Sequence, residues 1–363
     1  MYEYGHGGNA AFEPGKGDVV DLSANMNPLG MPGGVADAIV REIHNCERYP
    51  DNFSRLLRDR IAEFEGVDPE WIFCGNGASD IIFRLPRAVR SKRVMVTAPT
   101  FADYERSAIS YGSEVIYYEL SAEDGFDVND GVVDAVLRAR PDLVFICNPN
   151  NPTGRPVSTV LIGILLEYCR QIGATVAVDE CFLDFVERAD DYTCKCLLER
   201  YQNLIIIKAF TKLFALPGIR LGYAICSDMS LVDRLYFHGA DWPVSNLAQA
   251  AGVAALEGAG EYIEKTRKYV IREREAVKKR LSKMGYKVYR SEANFVFLRN
   301  PYPFNLHVEL DGRGIRIRSC ENFRGLDKSY CRIAVSTQEN NARLLAAVKE
   351  ITESHLRGII DER

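Results

Sequence analysis

Runs of Val, Ile and other apolar residues recur through the middle of the chain, separated by segments of helical spacing. This alternation most limits the folds available to it. RVMVTAP (93–99), SEVIYYEL (113–120), DLVFICNP (142–149), TVAVDE (175–180), NLIIIKAF (203–210) and RLGYAICS (220–227) read as strands. Residues 102–111, DGVVDAVLRAR (130–140) and VSTVLIGILLEYCRQIG (157–173) read as helices, the last closed by Gly173 in the C-terminal cap position. A strand with one face in water alternates apolar with polar residues. Near-continuous apolar runs between helices indicate a mostly parallel sheet covered on both faces.

The pattern changes after about Ser245. LAQAAGVAALEG reads as a helix, and EYIEKTRKYVIREREAVKKRLSKMG as one long amphipathic helix ending at Gly285. YKVYRSEANFVFLR (286–299), GIRIRS (314–319) and CRIAVST (331–337) predict strands of a smaller sheet, with a closing helix in ENNARLLAAVKEITESHL. The chain thus divides into an N-terminal arm (1–30), a large α/β domain (31–245, of which 31–50 packs with the small domain) and a small C-terminal α+β domain (246–363).

Composition excludes more than it assigns. At 47% hydrophobic and 26% charged residues, the 363-residue chain is neither disordered nor fibrous. With 45 Lys+Arg against 50 Asp+Glu its formal charge is −5, and no basic stripe offers a nucleic-acid footprint. A small-molecule partner is expected. No apolar run reaches the ~20 residues of a membrane span, and the opening MYEYGHGGNAAFEPGKGD lacks the apolar core of a secretory signal. The expected compartment is the cytoplasm. Ten cysteines are spread out without metal-site spacing. Cys194 and Cys196 form an isolated C-x-C, and IFCG, FICN and AICS set others in apolar stretches, so buried free thiols and no metal are expected.

The segments able to do chemistry fall at strand ends. GNGASD (75–80) follows the strand-like WIFC and opens a helix, whose exposed N–H groups can cradle a phosphate. CNPNNPTG (147–154) and VDECF (178–182) stand at carboxyl ends of strands, where open α/β sheets bind ligands. Asp179 there can pair with a protonated ring nitrogen. TKLFALPGIRLGY (211–223) sets Lys212 just after a buried strand, where desolvation makes an amine a candidate Schiff-base nucleophile. Arg220, downstream, can clamp a phosphate. Alone, each has a plainer explanation: a Gly-rich loop, an Asn/Pro/Gly turn, a helix N-cap, a surface lysine. Found together in this order, they weigh far more.

The order resembles the fold-type I pyridoxal-phosphate enzymes of the class I/II aminotransferase family. The likeness covers nearly the whole chain, including RYPD (48–51), PTFADY (99–104) and the late arginine of CRIAVST. It implies a fold-type I PLP-dependent transferase-like α/β architecture with pyridoxal 5'-phosphate as cofactor. By that resemblance Lys212 links to the cofactor, Asp179 holds the pyridine nitrogen protonated, Asn151 bonds the ring hydroxyl and Tyr104 stacks on the ring. The cofactor phosphate falls to the backbone of Ala78 and Ser79, to Thr211 and to Arg220. Tyr49 of RYPD is implied to reach the cofactor phosphate of a neighbouring subunit, hence a homodimer with active sites at the interface. Arg332 is implied to grip a substrate α-carboxylate and Arg318 a substrate phosphate. Two positions depart from the pattern. Phe182 stands where relatives often have Tyr, and Ala209 where they usually have Ser or Thr, which removes a phosphate contact.

Two further features narrow the resemblance. GHGGN (5–9) with DLSANMNPLGMP (21–32), and IRSCENFRGLDKSYCRIAV (317–335), are similar to the L-threonine O-3-phosphate decarboxylases of cobalamin biosynthesis. This implies that His6, Gly7, Gly8, Asn9 and Asn27 join Asn151, Arg318 and Arg332 around a small phosphorylated amino acid. Carbon dioxide is then released to leave (R)-1-amino-2-propanol O-phosphate. Serine phosphate is a second substrate left open, and the surroundings of Trp242 and Pro243 are expected to line part of the pocket. Histidinol-phosphate aminotransferases share NPLG, RYPD and the arginine pair and remain the alternative. A non-catalytic regulatory protein of this fold is a third reading. Such proteins usually carry a DNA-binding module, for which the sequence leaves no evident room.

Overall fold

The structure, a computed structural model, describes residues 7–8 and 19–361. In chain order its strands are β1 (Val20–Asp21), β2 (Ile72–Gly75), β3 (Arg93–Ala98), β4 (Glu114–Glu119), β5 (Leu143–Cys147), β6 (Thr175–Asp179), β7 (Leu204–Ala209), β8 (Gly222–Ile225), β9 (Lys287–Val288), β10 (Phe295–Arg299), β11 (Ile315–Arg316), β12 (Arg318–Ser319) and β13 (Tyr330–Ala334). Seven form one sheet in the order β2-β8-β7-β6-β5-β3-β4. From β7 to β4 every pair is parallel, and only β8 runs against its neighbours.

The central strands show why their sequences lack alternation. Val144, Ile146, Val176, Val178 and Ile206 point into one buried cluster, and Leu143, Phe145, Ala177, Ile205 and Ile207 into another on the opposite face. Each fully buried aliphatic side chain contributes about 1.5–3 kcal/mol of transfer free energy, so both faces favour helix cover. One covering helix, Thr159–Ile172, begins where Ser158 Oγ accepts the Leu161 N–H and ends at Gly173 with φ 77°.

Because β2, β3, β5, β6 and β7 run the same way, their carboxyl ends meet along one edge. Antiparallel β8 reaches that edge with its first residues instead, which brings Arg220 and Gly222 to the same place as Gly77, Asn151, Asp179 and Lys212.

The smaller sheet, β12-β13-β10-β9, is antiparallel. GIRIRS does not form one strand, as the sequence suggests, but two in different sheets. β11 pairs with β1 from the N-terminal segment and β12 with β13, the switch falling at buried Ile317. Likewise 286–299 splits into β9 and β10. The helix Asn246–Leu256, placed in the small domain by sequence, packs on the helices Val35–Glu42 and Arg55–Glu65. A Cβ at Gly252 would come within 2.7 Å of Leu57 and 2.5 Å of Leu221 side-chain atoms. The small sheet is therefore reached only through the long helix Ala259–Lys283. No described helix is long and apolar enough to cross a membrane.

Candidate active site

A cavity of about 340 Å³ opens where the strand ends meet. Ala78, Ser79, Tyr104, Asn151, Asp179, Ala209, Thr211, Lys212 and Arg220 line it from the large domain. Arg318 and Arg332 line it from the small sheet, and Gly7 from the N-terminal segment.

One end is built on glycine. Gly75 of β2 pairs with Gly222 of β8, and the helix Ala78–Ala88 starts just beyond. A Cβ at Gly222 would stand 2.5 Å from the Ala78 nitrogen, and one at Gly77 (φ 82°) 2.7 Å from Arg220 Nη2. Glycine lets a strand start, a helix start and a guanidinium converge. The N–H groups of Ala78 and Ser79 at the helix start then lie beside the Arg220 cation, a cradle for a phosphate dianion. Ser79 Oγ donates to Asp103 Oδ2 at 3.0 Å, and buried Asp103 pairs with Arg106 at 2.8 Å. The serine hydroxyl is thus engaged, which leaves its backbone N–H for the anion. Sequence reading did not single out Asp103.

Lys212 lies on the one-turn helix Phe210–Leu213, directly after β7. Its Nζ donates to Ala24 O at 2.7 Å. Burial, reinforced by Arg332 and Arg220, lowers its pKa to about 7. Asp179 ends β6. Its Oδ1 accepts the Cys181 N–H at 3.0 Å and its Oδ2 the Tyr104 hydroxyl at 2.7 Å, while burial raises its pKa. Tyr104 is fully buried and lies face to face with Phe145, 4.8 Å between centroids and 10° between planes. Its bond to Asp179 is an addition to the stacking role implied by resemblance. Phe182 lines the wall with its ring edge-on to Phe295.

The other end is cationic. Arg318 and Arg332 are directly opposed across β12 and β13. Two arginines on directly opposed residues make this end suited to an anionic group. Arg332 is 6% exposed. Its Nη1 donates to Asn151 Oδ1 and its Nη2 to Ser23 O at 2.7 Å, while its Nε has no partner among the described residues. Burial lowers its pKa to about 10. Arg318 donates to Ser319 O at 2.9 Å and Asn322 Oδ1 at 2.8 Å, and its Cζ lies 5.2 Å from the Phe323 ring centroid.

Several expected residues fall elsewhere. Asn27 does not face the cavity. Its Nδ2 donates to Leu213 O at 2.7 Å and to the Tyr262 and Thr266 hydroxyls at 2.9 Å, and its Oδ1 accepts the Leu29 N–H. It ties the N-terminal segment to the loop that carries Lys212. Asn25, two residues earlier, takes the cavity position. It is 1% exposed, with neither amide atom partnered among the described residues and a φ of 52°. DLSANMNP offers two asparagines, and only the backbone turn at Asn25 distinguishes them. Gly7 and Gly8 lie on the same segment. Gly8 N donates to Ser23 Oγ at 3.0 Å, and a Cβ at Gly7 would come within 2.4 Å of Ser23 O. His6 and Asn9 lie outside the described residues. Tyr49 is 78% exposed and stacks on Trp242 at 4.2 Å, away from this chain's cavity. Trp242 and Pro243 line a separate depression with Arg84 and His238 rather than the cavity. Most of the cysteines are buried free thiols, but Cys147 and Cys181 form part of the cavity wall.

Comparison with known proteins gives concordant relatives. Residues 17–348 match the model of the family described as aminotransferase class I and II. A protein of Caldanaerobacter subterraneus subsp. tengcongensis, named provisionally as a threonine-phosphate decarboxylase, is 37% identical over 97% of this chain and 95% of its own. The threonine-phosphate decarboxylase of Salmonella typhimurium is 32% identical over 97% of both chains. The solved histidinol-phosphate aminotransferase of Clostridium acetobutylicum superposes with a TM-score of 0.86 at 29% identity, over 93% of this chain and all of that one.

Proposed function

The chain belongs to the class I and II aminotransferase family, and from that premise we propose that it decarboxylates L-threonine O-3-phosphate to (R)-1-amino-2-propanol O-phosphate. One observation carries this reading. The two segments that resemble the decarboxylases lie some three hundred residues apart, yet Gly7 of one and Arg318 of the other line the same cavity.

Its cofactor is pyridoxal 5'-phosphate, and the residues present fit it. The glycine cradle with Arg220 suits the phosphate, buried Asp179 the ring nitrogen, Asn151 the ring hydroxyl and Lys212 the aldehyde carbon. When bound, the cofactor supplies an electron sink for the electrons of a broken bond at the substrate α-carbon.

The chain's own residues do the rest. Arg332, with Asn151 on one of its nitrogens, binds the α-carboxylate. Arg318, the N-terminal segment and Asn25 hold the phosphate, so the substrate is fixed at both ends and the carboxylate is aligned for loss. Asp179, kept ionised by a cationic partner, stabilises positive charge on the ring nitrogen. Lys212 Nζ, with a pKa near neutrality, then returns a proton to the α-carbon.

A second copy of the chain completes the site in this reading. Tyr49 and Trp242 stack at a surface that also exposes Val40, Ile43, Phe53 and Leu56. Exposed apolar side chains of this kind suit a subunit interface, from which Tyr49 would reach the neighbour's cofactor phosphate. Sedimentation should give a dimer.

The purified holoenzyme should release carbon dioxide from threonine phosphate without consuming a keto acid. Glutamate formed from 2-oxoglutarate and histidinol phosphate at a comparable rate would favour the aminotransferase reading instead.

A further inference from the structure

Threonine phosphate and serine phosphate differ by one methyl group on Cβ, the carbon that also bears the phosphate ester. Resting on the decarboxylase reading, we propose that Phe323 is the wall against which that methyl packs, so that the site selects β-methylated over unbranched phospho-amino acids.

The two anchoring arginines fix where Cβ lies. Arg332 takes the carboxylate and Arg318 the phosphate, and the two are opposed in register on neighbouring strands. The carbon joining the two anionic ends therefore lies between them. Most of the surroundings there are polar: Gly7, Asn25, Asn151 and the arginines themselves. Phe323 is the apolar exception on the small-domain side. It lines the cavity, is 8% exposed, and its ring flanks Arg318. It also lines the narrow groove outside Arg318, so it divides the cavity from its surroundings. A methyl pressed on this face leaves water and covers apolar ring surface in one contact.

The wall is fixed in place. The Phe323 N–H donates to Cys320 O and its carbonyl accepts from Leu326 N, both at 3.0 Å. Its side chain belongs to a buried cluster with Leu120, Phe126, Phe297 and Tyr330. The other aromatic at this end, Phe101, approaches from the large domain, edge-on to Tyr104. It provides the internal comparison.

The test measures kcat/KM for carbon dioxide release, and Kd by calorimetry, for both phospho-amino acids on the holoenzyme. A methyl in an apolar site is worth roughly 10–200-fold in discrimination. Wild type should show a preference for threonine phosphate in that range. Phe323→Ala should reduce it to within about 3-fold. Phe323→Leu, which keeps an apolar wall and loses the ring over Arg318, should retain most of it while weakening both substrates alike. Phe101→Ala should leave the ratio in place. A wild-type ratio near one overturns the proposal, as does a ratio that survives Phe323→Ala or collapses in Phe101→Ala. If wild type binds both compounds yet releases no carbon dioxide, the decarboxylase reading fails and the Kd ratio still decides the role of Phe323. Binding of neither compound overturns both.

Discussion

Two groups of cations lie near the end of β7, and among the described residues only one is supplied with carboxylates. Lys208, on the Ile206 face of the strand, pairs with Glu65 at 2.9 Å and Asp184 at 3.4 Å, and Lys195 reaches the other oxygen of Glu65 at 2.9 Å. The Tyr223 hydroxyl donates to Glu65 at 2.5 Å. Burial alone would lower the Lys208 pKa, but Asp184 and Glu65 outweigh it and drive the value up. Burial alone would raise Glu65, but Lys208 and Lys195 hold it at about 2. Four residues on, half-buried Lys212 lies in the cavity wall with Arg332 and Arg220, and among the described residues no carboxylate pairs with Lys212 or Arg332. Its pKa falls to about 7. Two lysines on one stretch of chain are thus driven in opposite directions by what surrounds them. The first is locked as a cation and holds elements together. The second is left partly neutral, beside cations that await a phosphate and a carboxylate from outside.

The largest break in this contrast comes from Lys212→Ala. It removes both the covalent attachment and the proton carrier, so turnover of threonine phosphate should fall at least ~10³-fold. The visible absorbance of the bound cofactor should lose the band that depends on the lysine. Wild-type spectra and rates in this variant would mean that the wrong lysine had been placed in the site.

On the paired side, Glu65→Gln leaves buried Lys208 and half-buried Lys195 under-compensated. Losing one partner of a buried pair costs about 3–5 kcal/mol, read as a lower midpoint in urea. Converting the group to apolar residues, Glu65→Leu with Lys208→Met and Lys195→Met, should recover most of that loss. The same treatment of the cavity, Arg332→Leu, should leave stability nearly unchanged or raised, and abolish substrate binding. If Glu65→Gln is as stable as wild type, the cluster is not the clamp described above.

The two groups also predict pH dependence in separate windows, Glu65 as a stabilising group lost in acid and Lys212 as a cost relieved in base. Glu65 has its folded pKa below the ordinary 4.5, so its contribution to stability is present above 4.5 and is lost as pH falls toward about 2. Lys212 has its folded pKa below the ordinary 10.5. In cofactor-free protein the folded state binds fewer protons there, so stability rises as pH climbs from about 7 to 10.5. Lys212→Met should remove that slope and raise Tm at pH 7 by about 2–8 °C. A thermal-unfolding series across pH on the cofactor-free protein checks both, and an unchanged slope in Lys212→Met would show that the amine is not desolvated.

The contrast also explains what the sequence could disclose. Asp179, Lys212 and Arg220 were legible because strand ends and a fixed order of motifs place them without any knowledge of packing. Arg318 and Arg332 were legible as members of a motif, but their direct opposition was not. It depends on the break at Ile317, where a run that reads as one strand changes sheets. Asn25 and Asn27 are chemically identical and both lie in one Asn-rich segment. Which one faces the cavity is decided by a single left-handed turn and by Tyr262 and Thr266, more than two hundred residues away. The Glu65 cluster gave no local signal, since its members come from separate elements and meet only in three dimensions.

The smallest expected effect bears on the anion-receiving side alone. Ala209, three residues before Lys212, lines the cavity in extended backbone, φ −144° and ψ 145°. A serine there needs no backbone change and little volume, and it places a hydroxyl where the family pattern has one. The phosphate end already has Arg220, Thr211 and the N–H groups of the helix start, so one neutral donor adds only about 0.5–1.5 kcal/mol. Ala209→Ser should therefore tighten the Kd for pyridoxal phosphate by about 2–10-fold, measured by reconstitution of cofactor-free protein, with kcat at saturating cofactor unchanged. The matching change on the paired side, Tyr223→Phe, removes a donor to Glu65 and should leave that Kd alone while lowering stability. If Ala209→Ser does not improve cofactor affinity, the existing donors already saturate the phosphate, and the cavity is less open to further anion contacts than its cationic lining suggests.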